Sequence, residues 1–155
     1  KTNRRIANTL IHDRPRNALE AKFSMPFCLA IVLSEGRAGL AEFTDEIVGR
    51  ADVQNLISKI NYSSFDKPGS DYTNVTTLLE IEFTDGETIT GRADFAPGST
   101  ADPMGFDDVA EKFLDCADYV GWPVEKSTQA IAMVERLGEL KNITELVRTL
   151  SAQAS

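Results

Sequence analysis

The chain has 155 residues, 42% apolar and 26% charged, a balance that is typical of globular proteins and excludes a disordered tail or a collagen-like repeat. Its 16 basic and 24 acidic residues give a net charge of −8, which disfavours nucleic acid as a partner because phosphate backbones select Lys and Arg. The longest apolar run, residues 25–33, is too short to span a bilayer, and no signal peptide is evident. We therefore expect a soluble, cytoplasmic protein with a single domain over residues 1–155.

Positive charge is concentrated at the start of the chain. Residues 1–22 have a net charge of +4, whereas the remaining residues have a net charge of −12. A cationic patch on an acidic protein suits a small anionic ligand better than a long polyanion. A solvated terminus whose charges happen to be basic is the alternative interpretation.

The first strong element is an apolar helix from residue 25 to about residue 35. Ser24 is a suitable N-cap, Pro26 is tolerated in the first turn, and Gly36 is typical of a C-cap. Because this helix is apolar all round, we expect it to be central and buried. Lys22 and Ser24 then lie at its N-terminus, an end that attracts anions.

A second helical region and a loop follow. Thr44, with two acids directly after it, indicates a helix start. An apolar stripe at helical spacing comes next, formed by Val53, Leu56, Ile57 and Ile60. Residues 61–74 are rich in Ser, Asp, Asn, Gly and Pro, which predicts a loop.

The clearest local structure is a β-hairpin with its turn at Asp85 and Gly86. Its apolar face is formed by the odd-numbered residues Leu79, Ile81, Phe83, Ile89, Ala93 and Phe95. We expect this face to pack on helices while the other face meets water.

Three further helices are predicted, over residues 106–117, from just after Pro123 to Gly138, and over residues 143–150. The order of elements predicts an α+β fold. In this fold a small antiparallel sheet with a β-hairpin packs against several helices, one of them central and buried.

Generic chemical motifs are absent from the sequence. It contains no phosphate-binding G-x-x-x-x-G-K-[ST] loop, no G-x-G-x-x-G, no G-x-S-x-G and no H-E-x-x-H. Cys28 and Cys116 are interpreted as buried free thiols of a reducing compartment, and with the single histidine they cannot form a zinc site of the usual kind. The segment 12–24 remains, with an imidazole, two guanidinium groups, an ammonium and a hydroxyl beside the predicted helix start.

Residues 12–30 resemble the signature of the MmgE/PrpD family, in which an H-x-R-P turn leads into an A-K-F-S run and a buried helix. Here the turn is residues 12–15 and the run is residues 21–24. Residues 98–104 are similar to the family's G-x-x-x-x-P-M segment, and the hairpin lies between the two. Members include 2-methylcitrate dehydratases, cis-aconitate decarboxylases and iminodisuccinate epimerases.

The resemblance implies the smaller, lid-like domain of a longer enzyme. That enzyme would act on small di- or tricarboxylates, without metal or organic cofactor, by removing a proton beside a carboxylate. One example is a 2-methylcitrate dehydratase of propionate catabolism. By resemblance, Lys22 and His12 are catalytic, and Ser24, Arg14 and Met104 contact the substrate.

The resemblance further implies a large helical domain of the same chain as partner, so that the isolated lid-like domain is inactive. We also expect a homo-oligomer such as a homodimer, and neither nucleic acid nor membrane as partner. Two alternatives stay open. One is a non-enzymatic module that holds a carboxylate or an acidic protein with the basic N-terminal segment, and the other is an oligomerisation piece.

Overall fold

The computed structural model describes residues 1–65 and 76–151. The described chain comprises two compact units, Lys1–Pro103 and Met104–Ser155, and its elements confirm the α+β class. In chain order the elements are β1 (Thr2–Asn3), α1 (Arg4–Ala7), α2 (Ala18–Ala21), α3 (Met25–Glu35), α4 (Asp45–Val48), α5 (Ala51–Lys59), β2 (Ser64–Phe65), β3 (Thr77–Glu82), β4 (Thr88–Ala93), α6 (Phe106–Tyr119), α7 (Val124–Glu135) and α8 (Thr144–Ser151).

The strands form one sheet in the order β2-β1-β3-β4. β3 and β4 pair antiparallel in continuous register, with Ile81 opposite Ile89, so the predicted hairpin is confirmed. β1 pairs antiparallel with β3 and parallel with β2, so the sheet is mixed instead of purely antiparallel. β2 has only two residues, too few for a periodic signal, and falls in the predicted loop; residues 66–74 of that loop lie outside the described residues.

The hairpin turn is the three-residue loop 84–86. The Gly86 N–H donates to the Phe83 carbonyl at 3.0 Å, and the Phe83 N–H donates to the Glu87 carbonyl at 2.8 Å. Gly86 has φ +90°, a left-handed conformation that glycine adopts without steric cost. The turn thereby fixes which strand residues hydrogen-bond within the hairpin.

The apolar face of the hairpin is about half exposed. Its residues Leu79, Phe83, Ile89 and Phe95 are 37–50% exposed. All six residues of β4 are classed as exposed. The strand alternation therefore identifies the residues that share a face, whereas the burial expected of that face is only partial.

The core of the first unit lies between α3 and the helices that follow it. Its buried residues are Ala21, Phe27, Ala30, Ile31, Val48, Val53 and Ile57. The ring of Phe43 adds to this core at 5.3 Å from that of Phe27. Helix α3 has the predicted bounds, but Val32 and Leu33 are 47% and 54% exposed, so one face is buried and the other is open.

The second unit is a three-helix unit. Ala130, Met133 and Leu146 form its buried cluster, and Phe113 and Leu140 pack against this cluster. The three helices predicted after the hairpin are thereby confirmed; α7 begins at residue 124, as expected, and ends at residue 135, before the predicted stop at Gly138. Both cysteines are free, as predicted, but they are half-buried instead of buried. Within residues 1–65 and 76–151, no helix combines the length and apolarity needed to cross a membrane.

The carboxylate of Asp94 stabilises the edge of the hairpin in a way that depends on pH. Arg92 Nε donates to Asp94 Oδ2 and Thr76 Oγ1 donates to Asp94 Oδ1, both at 2.7 Å. The Arg92 bond and then the Thr76 bond lower the pKa of Asp94 below its ordinary value of 3.8. A depressed pKa in the folded state stabilises the fold above pH 3.8, and the contribution is lost as the pH falls through the folded-state pKa.

We therefore expect Asp94→Asn to lower the urea midpoint of unfolding at neutral pH. The difference from the parent chain should disappear in acid, once the parent carboxyl group is protonated as well. Glu82→Gln, which removes an exposed carboxylate from the same hairpin, is the control. A difference between Asp94→Asn and the parent that stays constant into acid would contradict this account.

Candidate functional site

The A-K-F-S run connects α2 to α3. Ala21 and Ser24 are 0% exposed, whereas Lys22 and Phe23, between them, are exposed. The two small residues fit where the backbone meets the core, because neither projects a bulky side chain. The Lys22 ammonium group therefore extends into solvent from a connection whose first and last residues are buried.

Backbone hydrogen bonds hold this connection. The Phe23 N–H donates to the Glu20 carbonyl at 3.0 Å, and the Ser24 N–H donates to the Ala21 carbonyl at 3.1 Å. The His12 N–H donates to the Phe23 carbonyl at 3.1 Å. The last bond holds the backbone of His12, which is half-buried, against Phe23, the residue between Lys22 and Ser24 in the chain.

The carboxylates of two neighbouring acidic residues accept hydrogen bonds from backbone N–H groups. Glu20 Oε2 accepts from the Arg16 N–H at 2.8 Å, and Asp45 Oδ1 accepts from the Ala18 N–H at 2.7 Å. Asn17 Oδ1 accepts from the Glu20 N–H at 2.9 Å and so begins α2. The hydrogen-bonding roles of these residues were not predicted from the sequence, although the spacing of Asn17 and Glu20 is that of a capping box.

Three cationic side chains of this segment have no partner among the described residues. Arg14, Arg16 and Lys22 are exposed, and their side chains have neither an ion pair nor a hydrogen bond to any described residue. Arg50, by contrast, pairs with Glu35 at 2.7 Å. The positive charge of Arg14, Arg16 and Lys22 is thus available to an anion from solution.

Ser24 acts inside the fold. Its buried Oγ accepts from the Phe27 N–H at 3.2 Å, which is the predicted N-cap. Since Pro26 has no N–H and the Phe27 N–H is capped, few donors at this helix end are left for a ligand. The expected attraction of an anion to this helix end therefore depends on the Lys22 side chain more than on backbone amides.

Arg14 lines an open depression of the first unit. This depression of about 450 Å³ is lined by Asp13, Arg14, Pro26, Ile57, Ser58, Ile60, Asn61, Tyr62 and Ser63. The Tyr62 hydroxyl there shares a hydrogen bond of 2.9 Å with Thr2 Oγ1. Neither His12 nor Lys22 lines this depression. Met104 begins the second unit and is 40% exposed, and its substrate contact stays a prediction.

The chemistry available in this segment is that of a cation and an imidazole. The ammonium of Lys22 can hold a carboxylate or stabilise negative charge, and the imidazole of His12 can carry a proton. Burial raises the pKa of the Cys28 thiol, which disfavours the thiolate needed for nucleophilic attack. Across residues 1–65 and 76–151, no group of three His, Cys, Asp or Glu side chains is placed to hold a metal ion.

Comparison with known proteins identifies the class of protein. A family model of the MmgE/PrpD C-terminal domain matches residues 2–137, so the chain belongs to the MmgE/PrpD family of dehydratases and decarboxylases. Among curated proteins, it is similar to cis-aconitate decarboxylase of Mus musculus, with 25% identity over 142 residues. The match covers 88% of this chain but 28% of that enzyme, so the chain spans little more than a quarter of the length of this relative.

The capping geometry predicts that Ser24→Ala destabilises the fold. The substitution removes an N-cap and leaves the Phe27 N–H unsatisfied in a buried place, so the free energy of unfolding should fall by about 1–2 kcal/mol. Urea denaturation measures this change. Ser63→Ala, at an exposed serine of the same unit, is the control and should change stability by less than about 0.5 kcal/mol. Equal stability of the two variants would mean that the Ser24 cap contributes nothing.

Proposed function

We propose that this chain is the lid-like domain of a cofactor-independent enzyme that removes or delivers a proton beside a carboxylate of a small di- or tricarboxylate. The observation that carries the proposal is the exposed ammonium of Lys22, which has no partner among the described residues and extends from a hydrogen-bonded, buried connection. The similarity to a cis-aconitate decarboxylase favours decarboxylation. Dehydration of the 2-methylcitrate type is the second reaction we consider.

Electrostatics explains why such a reaction needs a fixed cation. When a proton leaves the carbon beside a carboxylate, negative charge accumulates on the carboxylate oxygens. A cation already held in place stabilises this charge more in the transition state than in the ground state, and so accelerates the step. Lys22 fits this role because Ala21 and Ser24 anchor its backbone on both sides.

The other predicted residues take supporting roles in this proposal. His12 supplies an imidazole that can serve as an acid or a base, and its backbone N–H donates to the carbonyl of Phe23, the residue that follows the lysine. Arg14 offers a guanidinium group to a second carboxylate, which suits a substrate with more than one acid group. Ser24 holds the connection through its cap, and Met104 contributes an apolar contact to the substrate.

The remaining acid and base groups would come from a helical domain of a longer chain. This chain spans 28% of the length of its decarboxylase relative, which leaves room for such a domain. A cleft closed by two parts excludes water and strengthens the interaction of Lys22 with the substrate. The isolated chain should therefore show little turnover.

Lys22→Met tests the proposed role of the ammonium. It keeps the length of the side chain and removes its charge, so in the longer chain that contains this domain kcat should fall about 100-fold or more with cis-aconitate or 2-methylcitrate as substrate. Lys59→Met, at an exposed lysine of the same unit outside the segment 12–24, is the matched control. Stability should change by less than about 0.5 kcal/mol in both variants, because both residues are exposed.

Two results would contradict the proposal. Turnover by Lys22→Met within a factor of two of the parent would remove Lys22 from the mechanism. Absence of turnover of every di- and tricarboxylate tested, by the longer parent chain, would contradict an enzymatic role.

A carboxylate-binding module is the second candidate function, favoured by the three cations of residues 12–22 that have no partner among the described residues. Titration of the isolated chain with citrate, followed by NMR, distinguishes the two candidates. Saturable binding that weakens with salt and moves the signals of this segment supports the module. Citrate that leaves the spectrum unchanged favours a cleft completed by a second domain.

A further inference from the structure

Helix α2 is a single turn that ends directly before Lys22. It comprises four residues, Ala18–Ala21, and the Lys22 N–H closes it by donating to the Ala18 carbonyl at 3.3 Å. One turn of helix is not stable on its own, because its few hydrogen bonds do not offset the loss of backbone entropy. The position of Lys22 therefore depends on contacts that hold α2 from outside.

Asp45 provides such a contact from a distant part of the chain. Its Oδ1 accepts from the Ala18 N–H at 2.7 Å, and the two residues are 27 positions apart in the sequence. Ala18 is thus bonded at both of its backbone groups, through its N–H to Asp45 and through its carbonyl to Lys22. A continuous path of hydrogen bonds connects the carboxylate to the backbone of the lysine.

Asp45 is itself held by the core of the first unit. It is the first residue of α4, whose start is capped by Thr44 Oγ1, the acceptor of the Ile47 N–H at 3.2 Å. Val48, at the other end of α4, is 0% exposed and belongs to the same buried cluster as Ala21 of α2. The carboxylate therefore reaches α2 from a helix that is fixed at both ends.

We infer that Asp45 is a positioning residue, which acts through Ala18 and keeps Lys22 where its ammonium stabilises the developing negative charge. This inference rests on the proposed function. A long, flexible side chain stabilises charge at a defined point only when its backbone is fixed, because a loose backbone adds positions in which ammonium and substrate do not meet. An ionised acceptor also forms a stronger hydrogen bond than a neutral one, which suits a contact that holds a single turn.

Glu46 offers a matched comparison on the same helix. Both Asp45 and Glu46 are exposed acids in the first turn of α4, where negative charge favours the helix N-terminus. The Glu46 carboxylate has no ion pair or hydrogen bond to any residue of 1–65 and 76–151. Loss of either acid removes the same charge from α4, but only loss of Asp45 frees the Ala18 N–H.

Amide hydrogen exchange of the 155-residue chain measures the structural part of the inference. In Asp45→Ala the Lys22 N–H should exchange about fivefold faster or more than in the parent, because α2 opens more often without the bond at Ala18. Asp45→Asn keeps an oxygen acceptor at the same place, so the rate should stay within about twofold of the parent. Glu46→Ala should also leave the rate within about twofold of the parent.

A double-mutant cycle in the longer chain measures the catalytic part. With Lys22 present, Asp45→Ala should lower kcat about tenfold, whereas Asp45→Asn and Glu46→Ala should lower it about twofold or less. In the Lys22→Met background, Asp45→Ala should change kcat by about twofold or less, because the group that it positions is gone. A loss of stability alone would instead lower kcat by the same factor in both backgrounds.

Three results would overturn the inference. They are an unchanged exchange rate of the Lys22 N–H in Asp45→Ala, an unchanged kcat of Asp45→Ala in the longer chain, and an equal loss of kcat with and without the Lys22 ammonium. Failure of the proposed function looks different: Lys22→Met is then as active as the parent, or the longer parent chain has no turnover. The exchange measurement then decides on the contact alone. Faster exchange supports Asp45 as the residue that places Lys22, and an unchanged rate overturns it.

Discussion

The hydroxyl of Ser24 determines where the central helix begins, and the geometry of the basic segment depends on this point. Its bond to the Phe27 N–H ends the connection from α2 and starts α3 within three residues. Lys22 thereby stays outside the core, whereas Ala21 and Ser24, which enclose the Lys22–Phe23 pair, are buried. A start one residue earlier or later would rotate the lysine by about 100° around the helix axis.

Local chemistry explains why much of the fold could be predicted from the sequence. Ser24, Gly36 and Thr44 occupy the cap positions that their side chains or backbone freedom favour, and Gly86 has the positive φ expected of its turn. Each of these signals depends on a few consecutive residues. Helix and strand boundaries were therefore accessible without knowledge of the tertiary structure.

The packing partner of each apolar face could not be predicted from the sequence in the same way. The alternation in the hairpin and the apolar composition of α3 both predicted burial, yet Ile89 and Leu33 are about half exposed. Burial depends on the packing partner, which a periodic pattern does not specify. The depression lined by Arg14 was also hidden, because charge counting along a segment does not tell which residues from distant parts of the chain surround each side chain.

The single imidazole of the chain is attached to the fold through its main chain. The backbone N–H of His12 donates a hydrogen bond to the Phe23 carbonyl. Every amino acid except proline has such an N–H group. The ring can therefore be exchanged for another side chain without loss of the anchor. Evolution could in this way change the proton chemistry at position 12 while the scaffold that carries the lysine stays the same.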